Sequence, residues 1–169
     1  MVYLLGCDHY LQAYELGEFM QECRDIQLTL KRKFYDLLRD IVVTNEIDFI
    51  GEECRTGVRT IAGVIAEECR RPYAVIDMPV EARRQAGIPD DYEERGSGAR
   101  MNGYIVREEW MFNRCLGYQA NRRLVVCGSE HVDRLANRFR EIGEDVFMRI
   151  VNQEGWFDPP YARLQRGGL

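Results

Sequence analysis

Short, largely apolar runs, mostly without polar alternation and spaced by stretches of helical periodicity, constrain this chain more than any other feature. The runs fall at Val2–Leu5, Ile47–Ile50, Tyr73–Ile76, Leu124–Cys127 and Val146–Val151. Runs of four to six mostly apolar residues, broken only by Asp48 and Arg149, read as strands covered on both faces, as in parallel sheets. Between them, Ile26, Leu30, Phe34, Leu37, Leu38 and Ile41 recur at steps of three and four and mark a long amphipathic helix. Val58, Ile61, Ala62, Ile65 and Cys69 mark a second helix, closed by Pro72 just beyond. Trp110, Met111, Arg114, Cys115 and Tyr118 mark a third, and Val132, Leu135, Ala136, Phe139 and Ile142 a fourth that ends at Gly143. This alternation predicts an α/β fold: a mostly parallel central sheet of about five strands with helices on both faces. Ligands of such sheets bind beyond the carboxyl ends of the strands.

The 169 residues suit one domain, expected over residues 1–154, with residues 155–169 as an extended arm carrying Trp156, Phe157 and Tyr161. Residues 86–104 interrupt the rhythm with Gly87, Pro89, Gly96, Gly98 and Gly103, and read as a long loop, either a lid or a surface excursion. The net charge of −5 argues against a nucleic-acid partner, because neutralising phosphates calls for a basic surface. No apolar run approaches the roughly 18–20 residues that cross a bilayer, so no membrane partner is expected. Six cysteines without a Cys-x-x-Cys pair or a signal sequence read as reduced thiols, and the expected location is cytoplasmic.

Two strand ends match. The first reads Leu4-Leu5-Gly6-Cys7-Asp8-His9 and the fourth Val126-Cys127-Gly128-Ser129-Glu130-His131. Each is an apolar strand running into Gly-x-x-His with an acid directly before the histidine, and these are the only two histidines in the chain. Glycine permits a sharp turn or a close approach. Imidazole suits proton transfer near neutral pH and metal ligation. The second strand runs into Glu52 and Glu53, and the third into Asp77, so a parallel sheet brings acids to the same edge. Two imidazoles and a carboxylate could hold a divalent metal (Mn, Zn or Co) through His9, His131 and Glu52. Without metal, a carboxylate could orient one histidine as general base. Gly6, Asp8, Asp77, Gly128 and Glu130 are the expected ligand-binding neighbours.

The paired Gly-x-x-His motifs, together with Arg107-Glu108-Glu109-Trp110-Met111, resemble the TraB/Tiki superfamily and its Arg-x-x-x-Met helix. That group is related to the erythromycin-esterase and ChaN-like proteins. The resemblance implies a catalytic or metal-binding centre of His9, His131 and Glu52 or Glu53, with Arg107 binding an anion or polarising a carbonyl. It covers Tyr3 to about Val146. The acids Asp8 and Glu130 depart from it, since small or hydroxyl residues are usual before one or both histidines. The expected function is a small hydrolase that activates water for a small-molecule or peptide substrate, with or without the ion. The alternative is a non-catalytic binder of a small ligand or metabolite in the same cleft. A homodimeric interaction protein, joined through the aromatic arm, is a third class.

Overall fold

A computed structural model describes residues 1–14, 24–89 and 96–151 of the chain. Five parallel strands form one sheet: β1 (Val2–Cys7), β2 (Phe49–Glu52), β3 (Tyr73–Val75), β4 (Arg123–Gly128) and β5 (Val146–Ile150), in the order β3-β2-β4-β1-β5. Helices cover both faces, as the alternating rhythm predicts. On one face lie α1 (His9–Gln12), α2 (Arg24–Thr44) and α3 (Ile61–Glu68), packed over Leu5, Cys7, Ile50, Leu124 and Val126. After the short α4 (Val80–Gln85), α5 (Ser97–Leu116) and α6 (Val132–Glu141) cover the other face over Val2, Leu4, Phe49, Val125 and Cys127. Successive strand residues point to opposite faces. The inner strands therefore feed two cores and need no polar alternation.

This order places β4 between β1 and β2, so the two Gly-x-x-His segments leave adjacent strands. Their register is offset by one residue: Cys7 pairs with Gly128, and Gly6 with Cys127. The two glycines thus face opposite sides of the sheet. A Cβ on Gly6 would lie 2.6 Å from Val132 Cγ2 and 3.1 Å from Ser129 Cα, so the missing side chain lets the 3-10 turn Ser129–His131 and the start of α6 seat over β1. A Cβ on Gly128 would instead meet His9 Nε2 at 3.4 Å.

Several boundaries differ from the sequence reading. The strand expected at Ile47–Ile50 runs Phe49–Glu52, which puts Glu52 inside the sheet. The second helix begins at Ile61 behind its cap Thr60, whose hydroxyl accepts from Gly63 N, and Val58 is exposed ahead of it. The β5 strand is an edge whose central residues are exposed, and it is not covered on both faces. The largest difference is α5. Residues 97–104, expected as loop, are its first two turns despite Gly98 and Gly103. Tertiary contact outweighs glycine's weak helix propensity there: Tyr104 is buried with Met78 and Ile88, and its hydroxyl accepts from Arg100 Nε at 3.1 Å. Residues 90–95 of the expected loop, and the expected arm at 155–169, lie outside the described residues. The five described cysteines are free thiols, and no described helix is long and apolar enough to cross a membrane.

Candidate active site

A cleft of about 410 Å³ opens at the carboxyl edge of the sheet. His9, Glu53, Asp77, Arg107, Glu130 and His131 all line it, together with Gln12, Thr60, Arg55 and Arg83. Both histidines face one oxygen: His131 Nε2 lies 3.3 Å from Glu53 Oε1 and His9 Nε2 lies 4.0 Å from it. The adjacency of β1 and β4 produces this convergence, and Glu53, first residue past β2 on the other side of β4, supplies the shared atom. Glu52, Gly6, Asp8 and Gly128 do not line the cleft.

The two histidines occupy unlike environments. His131 is buried, and its Nδ1–H donates to Glu108 Oε1 at 2.6 Å while Nε2 faces Glu53. Burial alone would lower its pKa. The hydrogen bonds to Glu108 and Glu53 and the Glu53 charge outweigh burial and the opposing Arg107 charge, and raise it to about 9. His131 is therefore an imidazolium with both nitrogens protonated at neutral pH. His9 is exposed at the cleft rim. Its Nδ1 donates to Gln12 Oε1 at 2.9 Å, which leaves the Nε2 lone pair turned toward the cleft.

Glu53 is held from three directions. Arg107 Nη2 donates to Oε1 at 2.6 Å, the Gly128 amide donates to Oε2 at 2.8 Å, and His131 approaches Oε1. Burial pushes its pKa up, but these partners prevail and bring it down to about 2. Arg107 in turn donates to Asp77 Oδ1 through Nη2 at 2.9 Å and Nε at 3.2 Å, and Asp77 also binds Arg83 and the Met78 amide. Beyond His131, Glu108 accepts from Arg134 Nε and Nη2, each at 2.6 Å. Burial works to raise the Glu108 pKa, but the His131 and Arg134 hydrogen bonds hold it below the usual range. The result is one alternating line of charge: Arg83, Asp77, Arg107, Glu53, His131, Glu108, Arg134. Each buried charge has a neighbour of opposite sign, as burial requires.

Strand parity separates the two adjacent glutamates. Glu52 shares the α3 side of the sheet with Ile50, whereas Glu53 turns to the α5 side. Glu52 Oε2 accepts from Thr60 Oγ1 at 2.5 Å and from Tyr73 OH at 2.8 Å. Burial pushes its pKa up to about 7 against those hydrogen bonds and the His9 charge. The expected donor set of His9, His131 and Glu52 is thus not assembled. Among the described residues no group of three His, Cys, Asp or Glu side chains is placed to hold an ion. Cys54, at the cleft wall, has its thiol pushed up to about 11 by burial and by Glu52, so it is no thiolate at neutral pH.

Arg107 sits in the middle of α5, from where its guanidinium reaches both Glu53 and Asp77. Glu108, Arg134 and Gln12 escaped the sequence reading. Glu108 did carry a signal: it falls on the stripe Tyr104, Met111, Cys115 at helical spacing, and an acid on a core stripe implies a buried partner. Fold and site together define a parallel α/β protein with a charged cleft at its topological edge. No family model, curated protein or solved structure matches the chain.

Proposed function

We propose that the cleft is the active site of a small hydrolase in which His9 is the general base. The observation that carries this reading is the meeting of both imidazoles on Glu53 Oε1 inside the cleft. With Nδ1 anchored to Gln12, His9 Nε2 takes a proton from water as the water oxygen bonds to the substrate's carbonyl or phosphoryl centre. The leaving oxygen or nitrogen then departs with the proton that His9 returns. Glu53 lies beside the imidazolium formed between these steps. His131 and Arg107 are positioning residues: they fix the Glu53 carboxylate, and Arg107 adds positive potential where charge builds on the substrate. This division keeps the expected roles of His9 and Glu53, turns Arg107 from a substrate-binding group into a positioning one, moves His131 from base to fixed cation, and routes no step through a metal.

The test is turnover of a panel of small ester, amide and phosphoester substrates in the presence of EDTA. His9→Ala is expected to lower kcat by about 100- to 10,000-fold with the fold intact by circular dichroism. His131→Gln is expected to lower kcat as well, with a loss of thermal stability that His9→Ala does not share. Turnover that survives His9→Ala, or that EDTA abolishes, overturns the reading. Ligand binding without turnover of any substrate leaves the cleft as a binding site.

A further inference from the structure

The charges lining the cleft do not balance within the protein. Four cationic side chains, Arg55, Arg83, Arg107 and His131, stand against three carboxylates, Glu53, Asp77 and Glu130. Three of the cations are consumed internally. Arg83 and Arg107 hold Asp77, and Arg107 and His131 hold Glu53. The alternating line through the site also begins and ends on arginine, so it carries one more positive than negative charge. Glu53 and Asp77 are saturated, each with two cations and a backbone amide.

Arg55 is the exception. It leaves the end of β2 two residues after Glu53, on the turn that Val58 N closes onto Arg55 O at 3.3 Å and that Gly57 permits with its φ of +85°. It lines the cleft and is exposed, and its guanidinium has no hydrogen-bond or ion-pair partner among the described residues. The remaining cleft acid, Glu130, follows β4 and is likewise exposed. A guanidinium offers five N–H donors in a planar fork that fits a carboxylate or phosphate in two places.

We propose, building on the hydrolase reading, that the substrate carries an oxyanion, a carboxylate or a phosphate group, and that Arg55 is the residue that binds it. The saturated network supplies the positive field that draws such a ligand in, and Arg55 supplies the hydrogen bonds. With the charged group anchored on the β2 side, the scissile bond falls toward His9. Glu130 repels a second negative charge on the β4 side, so the ligand is small and carries its charge at one end. Arg55 is a specificity-determining residue and takes no proton.

The experiment separates this inference from the catalytic one. Inorganic phosphate and acetate are titrated into the intact protein, and binding is followed by calorimetry and by the His9 ring-proton resonances. Arg55→Ala is expected to weaken phosphate binding by roughly tenfold, and Arg55→Lys to restore part of the loss. Arg59→Ala is the control: Arg59 lies one turn of loop away, over the Tyr14 ring at 4.7 Å, and its removal changes net charge equally. Phosphate binding that is unchanged in Arg55→Ala, or weakened as much in Arg59→Ala, overturns the inference. Where hydrolysis is found, KM for anionic substrates rises in Arg55→Ala while neutral esters are unaffected; an equal effect on both also overturns it. Anion binding at Arg55 without any turnover keeps the inference and removes the hydrolase reading.

Discussion

Glu52 and Glu53 are neighbours in the chain, both fully buried, and chemically opposite. Glu53 faces α5, where a guanidinium, an imidazolium and a backbone amide converge on it, and its pKa falls to about 2. Glu52 faces α3, where it meets only two hydroxyls, and its pKa rises to about 7. Hydroxyls solvate a carboxylate weakly, and without a counter-charge burial prevails. One side of the sheet therefore holds a fixed anion that organises cations, and the other holds a carboxyl close to neutrality. Composition cannot distinguish them; only the pleat does.

The comparison is most exposed to an isosteric pair of variants. Glu53→Gln leaves Arg107 and His131 without their shared counter-charge and is expected to cost about 3–5 kcal/mol in urea denaturation at pH 7. Glu52→Gln keeps an acceptor for Thr60 and Tyr73 and is expected to change stability by about 1 kcal/mol or less. Equal losses would break the contrast.

The dependence of stability on pH sharpens it. The Glu53 pKa is depressed in the folded state, so its contribution is present above the reference value of 4.5 and disappears as pH falls toward about 2. The Glu52 pKa is raised, so stability declines as pH climbs from 4.5 to about 7. The His131 pKa is also raised, so its contribution is complete below 6.5 and lost as pH rises through about 9. Urea midpoints between pH 2 and 10 should show all three windows. Glu52→Gln should erase the fall between 4.5 and 7 while leaving the one between 6.5 and 9.

The two motif glycines extend the comparison beyond the glutamates. Gly6→Ala forces a Cβ against Val132 and the backbone of Ser129 and is expected to cost about 1–3 kcal/mol. Gly128→Ala meets His9 Nε2 at ordinary contact distance, so thermal stability should hold while the His9 ring resonances shift. The reverse ranking would mean that the glycines do not divide the work between packing and site.

Much of this was legible in the chain. Unalternated apolar runs required two covered faces, and the repeated Gly-x-x-His ends brought His9 and His131 to one edge. The choice between Glu52 and Glu53 was not legible, because it depends on where β2 starts, and the apolar run at Ile47–Ile50 placed that boundary two residues early. Helix α5 was read too short because Gly98 and Gly103 are local signals, whereas the contacts of Tyr104 that hold it are not. The state of His131 was hidden for the same reason: Glu108 and Arg134 reach it from two different helices.

Helix α5 keys the site to the core by phase. Arg107 and Glu108 serve the cleft, while Met111, Phe112 and Cys115, within two turns, anchor the same helix in the core. One residue inserted between Glu108 and Met111 would rotate one end against the other by about 100°. The charged line and the apolar anchor could not then both engage. Two full turns, about seven residues, would restore the angle but lift the charged pair roughly 10 Å along the axis, clear of Glu53. Length variation is thus barred from this short segment.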